Sequence, residues 1–144
     1  IAWGGRPLAG DRQSTDGNAK RYTTKIFRAR DGAALVGFAG SASLGMEMLH
    51  WFEEGADPSK FPELQKVKGE NVNMLVVWKD GCIEEFGRTA YAEQIDGPFV
   101  ALGCGHAFAM AAMHCGRNAV EAVELTCQLD AHCGGGADFL TFED

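Results

Sequence analysis

Five cysteines and four histidines give this chain its most obvious capacity for chemistry. In the C-terminal half they fall in pairs along the sequence: Cys104 with His106, His114 with Cys115, and His132 with Cys133. A thiol beside an imidazole can be activated as a nucleophile, and four such side chains can hold a structural zinc. Two of the pairs are directly adjacent and none has C-x-x-C spacing. The default reading is therefore buried thiols and helix-end histidines, with no metal site expected. Elsewhere, Asp11 follows one short apolar run, Lys25 opens another, and Gly40-Ser41 closes a third. Read singly, these are a turn aspartate, an exposed strand lysine, and a strand end running into a helix cap.

The elements that must position these residues follow from pattern. Leu8-Ala9-Gly10 and Lys25 to Ala29 read as short strands, and Ala34 to Ala39 is a continuous apolar run suited to a strand buried on both faces. Ser41 opens a helix in which Leu44, Met48, Leu49 and Phe52 recur at helical spacing, with Gly55 as its stop. Its apolar residues, Met46 and Trp51 included, spread around more than one face, which suits partial burial against a neighbouring subunit. Pro58 to Pro62 reads as a loop. Asn73 to Trp78 and Cys82 to Phe86 flank Lys79-Asp80-Gly81 and predict a hairpin. Phe99 to Leu102 predicts a further strand.

Two helices follow in the pattern. The first, His106 to Cys115, is small and apolar enough to be buried. The second is capped by Asn118, with Val120, Val123 and Cys127 on one face, Leu125 and Leu129 beside them, and Gly134-Gly135-Gly136 as its end. Asp138 to Phe142 predicts the last strand. Helices and strands are grouped rather than alternating singly, which favours a layered α+β fold of two sheets faced by helices.

The chain has 144 residues, no repeat and no linker, so a single domain over 1–144 is expected. A net charge of −7 argues against nucleic acid as a partner. The one basic stretch, Arg12 to Arg30, reads as a strand-and-turn surface. No apolar run is long enough to span a bilayer, and an odd number of cysteines without framework spacing suits reduced thiols in a cytoplasm.

Five segments in order carry a resemblance: Leu8-Ala9-Gly10-Asp11-Arg12-Gln13, Lys25 in its strand, Gly37-Phe38-Ala39-Gly40-Ser41-Ala42, Leu102-Gly103-Cys104-Gly105, and Asp130-Ala131-His132-Cys133-Gly134-Gly135. In order and spacing they resemble the proteasome β-subunit and its bacterial relative, the HslV-type peptidase. These are N-terminal-nucleophile hydrolases. The resemblance implies a four-layer αββα sandwich and a threonine-type endopeptidase whose terminal amine serves as its base. Asp11 matches the acid that orients the lysine and amine, Lys25 the lysine beside the nucleophile, Gly40 the oxyanion glycine, and Asp130 a second acid near the amine. Cys104 and Cys133 stand where the family has serines. Ser41, Ala42 and Gly45 fall in the stretch that shapes the substrate pocket. Ile1 aligns with the third residue of a mature terminus that typically reads Thr-Thr-Ile, which implies a nucleophile just before it. An inactive ring-forming subunit and a small-molecule amidase are the alternatives. The resemblance further implies a homo-oligomeric ring, hexameric or heptameric and possibly stacked, that degrades unfolded polypeptide. No cofactor is implied. The chain has no nucleotide-binding loop, so an ATP-dependent unfoldase would be a separate protein.

Overall fold

The computed structural model describes residues 1–16, 19–63 and 71–143. It opens with strands β1 (Ala2–Trp3), β2 (Leu8–Asp11), β3 (Gln13–Asp16), β4 (Ala19–Tyr22), β5 (Ile26–Ala29) and β6 (Ala34–Gly40), then helix α1 (Ala42–Glu53). Strands β7 (Val72–Trp78), β8 (Ile83–Phe86), β9 (Glu93–Gln94) and β10 (Val100–Ala101) follow, then helices α2 (His106–His114) and α3 (Ala119–Leu129), and last β11 (Ala137–Leu140). Single 3-10 turns lie at Arg30–Gly32 and Pro58–Lys60.

Two antiparallel sheets carry the fold, in the strand orders β10-β1-β2-β11 and β5-β6-β7-β8-β9, with β3 and β4 forming a separate hairpin. The period-2 alternation of strand side chains sorts the core into layers. From β6 and β7, Val36, Phe38, Met74 and Val76 point to one side, where they meet Met48, Trp51 and Phe52 of α1. Their neighbours Leu35, Leu75 and Val77 point to the other side and meet Trp3 and Leu8 of the four-stranded sheet. Beyond that sheet, Ala2 and Ala9 pack on Ala109, Ala112 and Met113 of α2 and Ala119, Ala122 and Val123 of α3. The order is helix, sheet, sheet, helices, which is the expected αββα sandwich. Each large side chain such as Phe38, Phe52 or Met74, buried to 2% exposure or less, contributes about 1.5–3 kcal/mol.

The start of the chain is wedged between the two sheets. A Cβ on Gly10 of β2 or on Gly37 of β6 would lie 2.8 Å from the Ile1 side chain. Both glycines therefore admit Ile1, and Ile1 fixes where the backbone ahead of β1 must sit.

Several expectations need correction. Helix α1 is core: Met48, Leu49, Trp51 and Phe52 are all buried, and of the residues expected at a subunit surface only Met46, at 47%, is exposed. Helix α2 is not buried throughout, since only Ala109, Ala112 and Met113 are covered and Phe108 is exposed. In α3 the small residues Ala119 and Ala122, with Val123 and Thr126, face the sheet, while Leu125 and Leu129 are exposed. A helix lying close on a sheet favours alanine at the contact, which a reading weighted by side-chain size overlooks. Helix α3 ends at Leu129 with Asp130 as its cap, before the glycines, and the last strand is Ala137–Leu140. The basic stretch after Arg12, expected as a strand-and-turn surface, does contain the β3–β4 hairpin; residues 17–18 lie outside the described residues. Among the described residues no helix is long and apolar enough to cross a membrane.

Candidate active site

The segments that carry chemistry converge at one end of the sheets. Asp11 ends β2, and Lys25 immediately precedes β5. Lys25 Nζ donates to Asp11 Oδ1 at 2.7 Å, and both side chains are largely buried. The other carboxylate oxygen, Oδ2, accepts the backbone N–H of Gly134 at 3.0 Å and that of Gln13 at 3.3 Å. A buried carboxylate needs this number of donors, because its desolvation is otherwise uncompensated. The pair is thus held by both sheets and by the loop after α3.

The α-nitrogen of Ile1 lies in the same pocket and donates to Leu102 O at 3.0 Å, while Leu102 N donates back to Ile1 O at 2.8 Å. Burial pushes the Ile1 amine below its ordinary value. Asp11 pulls it back up, Lys25 lowers it further, and the Cys133 and Cys104 thiols raise it. The pocket is small, about 80 Å³, and Ile1, Asp11, Lys25, Gly40, Cys104 and Cys133 are among its lining residues. It opens into a groove of about 960 Å³ that shares Lys25, Gly40 and Cys104 with it and extends past Ser41, Ala42 and Arg21.

Gly40 closes β6 with φ 104°, a backbone shape that suits glycine, and a Cβ there would run into the Asn71 carbonyl. Ser41 caps α1, its hydroxyl accepting Leu44 N–H. Ser41 and Ala42 reach the groove. Gly45, expected with them, does not: it is buried inside α1, where a Cβ would collide with the Phe38 ring. Its lack of a side chain lets the helix sit close on β6, which is a packing role.

Asp130 is the residue expected as a second acid near the amine. It caps α3 and groups with Cys104 and Cys133, with ligand-type atoms of the three all within 4.8 Å of one another. Its Oδ1 accepts His132 N–H at 2.8 Å. The two thiols, 29 residues apart in sequence, lie with Sγ atoms 3.7 Å apart. None of the five cysteines is buried, contrary to the default reading. Burial of the Cys133 thiol, followed by the field of Asp11, pushes it up to about 12. A thiol held in its neutral form is a poor nucleophile, and its sulfur neighbours Cys104 rather than an imidazole. His106 Nδ1 is instead engaged with Gly103 O at 2.8 Å.

Two contributors were not singled out in the sequence. Gln13 is buried and reaches from β3 to Ala131 O at 3.1 Å, and Gly134 supplies the N–H to Asp11. Both sit inside the recognised motifs. Only the tertiary contact between those motifs reveals what they do.

No family model matches the chain. A proteasome subunit beta of Stackebrandtia nassauensis is 35% identical over 69 residues, which is 46% of this chain and 23% of that protein. The ATP-dependent protease subunit HslV of Campylobacter curvus is 29% identical over 120 residues, 73% of this chain and 67% of that protein. The matched stretch thus spans about a quarter of the first relative and about two thirds of the second. In three dimensions the crystal structure of HslV from Trypanosoma brucei superposes with a TM-score of 0.74. That match covers 96% of this chain and 93% of that one, at 22% identity, so it speaks for the fold. The chain is thus similar in sequence to a proteasome subunit beta and to an HslV subunit, and it shares the fold of HslV.

Proposed function

We propose that this chain is a peptidase subunit that cleaves unfolded polypeptide with the hydroxyl of a threonine preceding Ile1. The observation that carries this reading is the Asp11–Lys25 pair beneath the Ile1 nitrogen. Residues ahead of Ile1 enter the small pocket, because Ile1 is anchored between the sheets and hydrogen-bonded to Leu102. A terminal amine placed there meets the surroundings that already push the Ile1 amine down, burial first and Lys25 in support. That lowering favours the free-base form, which can take the proton of its own hydroxyl.

The steps follow from that base. The threonine oxygen attacks the scissile carbonyl, and the N–H of Gly40 faces the developing oxyanion. The amine passes its proton to the leaving amino group, and water hydrolyses the resulting ester to restore the hydroxyl. Asp11 orients Lys25 and keeps its charge compensated. Ser41 and Ala42 line the groove along which an extended peptide would lie. A broad open groove suits a polypeptide better than a small closed substrate, which places the amidase reading second. The likeness to HslV, named as the subunit of an ATP-dependent protease, supports assembly into a ring served by a separate ATPase.

Intact mass and N-terminal sequencing of the protein isolated from its own cells test the reading. A mature terminus at a threonine one or two residues before Ile1, and loss of casein and fluorogenic-peptide hydrolysis on changing it to alanine, are expected. A mature terminus without threonine, serine or cysteine sinks the mechanism and leaves the inactive ring subunit.

A further inference from the structure

The two cysteines at positions where the resemblance implies serines lie in direct sulfur–sulfur contact without a covalent bond. A disulfide requires sulfurs about 2.05 Å apart, far below the 3.7 Å between Cys104 and Cys133. A tetrahedral zinc at about 2.3 Å from each sulfur holds them about 3.8 Å apart. Asp130 completes a cluster whose three ligand-type atoms lie within 4.8 Å of one another. With Oδ1 already bonded to the His132 N–H, the Asp130 carboxylate is oriented and keeps Oδ2 for the cluster. Gly105 keeps this space open. A Cβ on it would strike the Thr126 methyl and stand 3.1 Å from Cys133 Sγ and 3.6 Å from Asp130 Oδ2.

We propose that Cys104, Cys133 and Asp130 form a binding site for a thiophilic divalent cation of the zinc class. The ligand set selects for such an ion, because two thiolates favour soft or borderline metals over magnesium or calcium. Three protein ligands leave a fourth position for water, as open zinc sites do and closed structural sites do not. Cys104 and Cys133 both line the small pocket that also holds Ile1. Asp11 lines the same pocket and adds negative potential there. Binding is an exchange: one dication enters, and two thiol protons leave to solvent. If the peptidase reading holds, a cation here stands against the base and inhibits hydrolysis. The site itself does not depend on that reading.

Cobalt(II) is the probe, added to the full chain purified under reducing conditions. The expected result is one cobalt per chain with sulfur-to-cobalt charge-transfer absorption and the visible bands of tetrahedral cobalt, displaced by zinc. Cys104→Ser and Cys133→Ser should each weaken binding by at least the ~10–100-fold that loss of a mere supporting contact costs a metal site. Asp130→Asn should weaken it too and shift the visible bands. Circular dichroism of the three variants, with Cys82→Ser/Cys115→Ser as a control that keeps the cobalt signal, separates lost ligands from lost folding. No charge-transfer band in the folded parent protein overturns the proposal. So does a band that survives in the Cys104→Ser/Cys133→Ser double variant, or a band that vanishes only with Cys82 and Cys115. Because the readout is spectroscopic, a protein that binds cobalt but hydrolyses nothing refutes the peptidase reading alone.

Discussion

Replacing Lys25 with methionine isolates the central pair. The substitution keeps much of the aliphatic stem and removes the charge. Asp11 then loses its shortest contact, the 2.7 Å bond from Nζ, while remaining buried. Breaking one partner out of a buried ion pair costs about 3–5 kcal/mol. The N–H groups of Gln13 and Gly134 stay on the carboxylate, so the low end, about 3 kcal/mol, applies. Against a total stability of ~5–15 kcal/mol this is a large fraction, and it is worth roughly 10 °C in melting temperature for a chain of this size. Urea unfolding at a fixed protomer concentration measures it, since assembly would otherwise shift the midpoint. Lys25→Met with Asp11→Asn should recover part of the loss, because no uncompensated charge then remains, and the double-mutant cycle should give a coupling of about 1–3 kcal/mol. Peptide hydrolysis should be abolished in the methionine variant at temperatures where it stays folded. A loss below about 1 kcal/mol, or additivity of the two changes, would refute the buried pair. Full hydrolysis by folded Lys25→Met would refute its catalytic part.

Asn118→Ala removes one half of a capping box, the Asn118 Oδ1 that accepts Glu121 N–H, and leaves the backbone N–H of residue 118 on Glu121; a loss of ~1 kcal/mol in chemical denaturation is expected. Gly45→Ala drives a methyl into the Phe38 ring and should cost about 1–3 kcal/mol through overpacking, with no change in peptide KM once the variant is folded. Glu85 is raised above its ordinary value by burial and then by Glu93 opposite it. A raised carboxylate is a penalty on folding above its folded-state pKa, and the penalty vanishes below the unfolded-state value. Glu85→Gln should therefore melt higher than the parent at pH 7.5 and lose that advantage as pH falls to about 4. An advantage that persists unchanged at the lower pH would contradict the assignment.

The strands that form the inner layers were legible because they are buried on both faces. Ala34 to Ala39 and Asn73 to Trp78 are continuous apolar runs, and the turn at Lys79-Asp80-Gly81 closes them into a hairpin with Cys82 to Phe86. Strands β3 and β4 were legible only as part of the basic strand-and-turn stretch, without individual bounds. β4, Ala19-Lys20-Arg21-Tyr22, is exposed at every position, so it has no buried face to set an alternation. β1 and β9 are two residues each, too short for any period to register. At the site, Asp11, Lys25, Gly40 and the two cysteines were identified through ordered motifs, because taken singly each residue type is common. The grouping of Asp130 with the two thiols, and the inward role of Gly45, depend on how α3 ends and how α1 lies on β6. Those are tertiary facts that motif order does not encode.

Cysteine at 104 and 133, where the resemblance implies serine, bears on what the pocket can do with protons. A serine hydroxyl donates and accepts strongly, and can pass a proton along a chain of hydrogen bonds. Two thiols 3.7 Å apart do this poorly, and Cys133, pushed up to about 12, keeps its proton at neutral pH. On the proposed mechanism the amine must then rely on Lys25 and Asp11 for its tuning, because the thiols pull its basicity upward rather than relaying its proton. A relay through hydroxyls and a cation site built on thiolates are competing uses of the same two positions. Serine serves the first and binds zinc weakly; cysteine serves the second and weakens the first. The close approach allowed by Gly105 and the carboxylate of Asp130 add little to a thiol-based relay, whereas both are what a thiolate-bound cation requires.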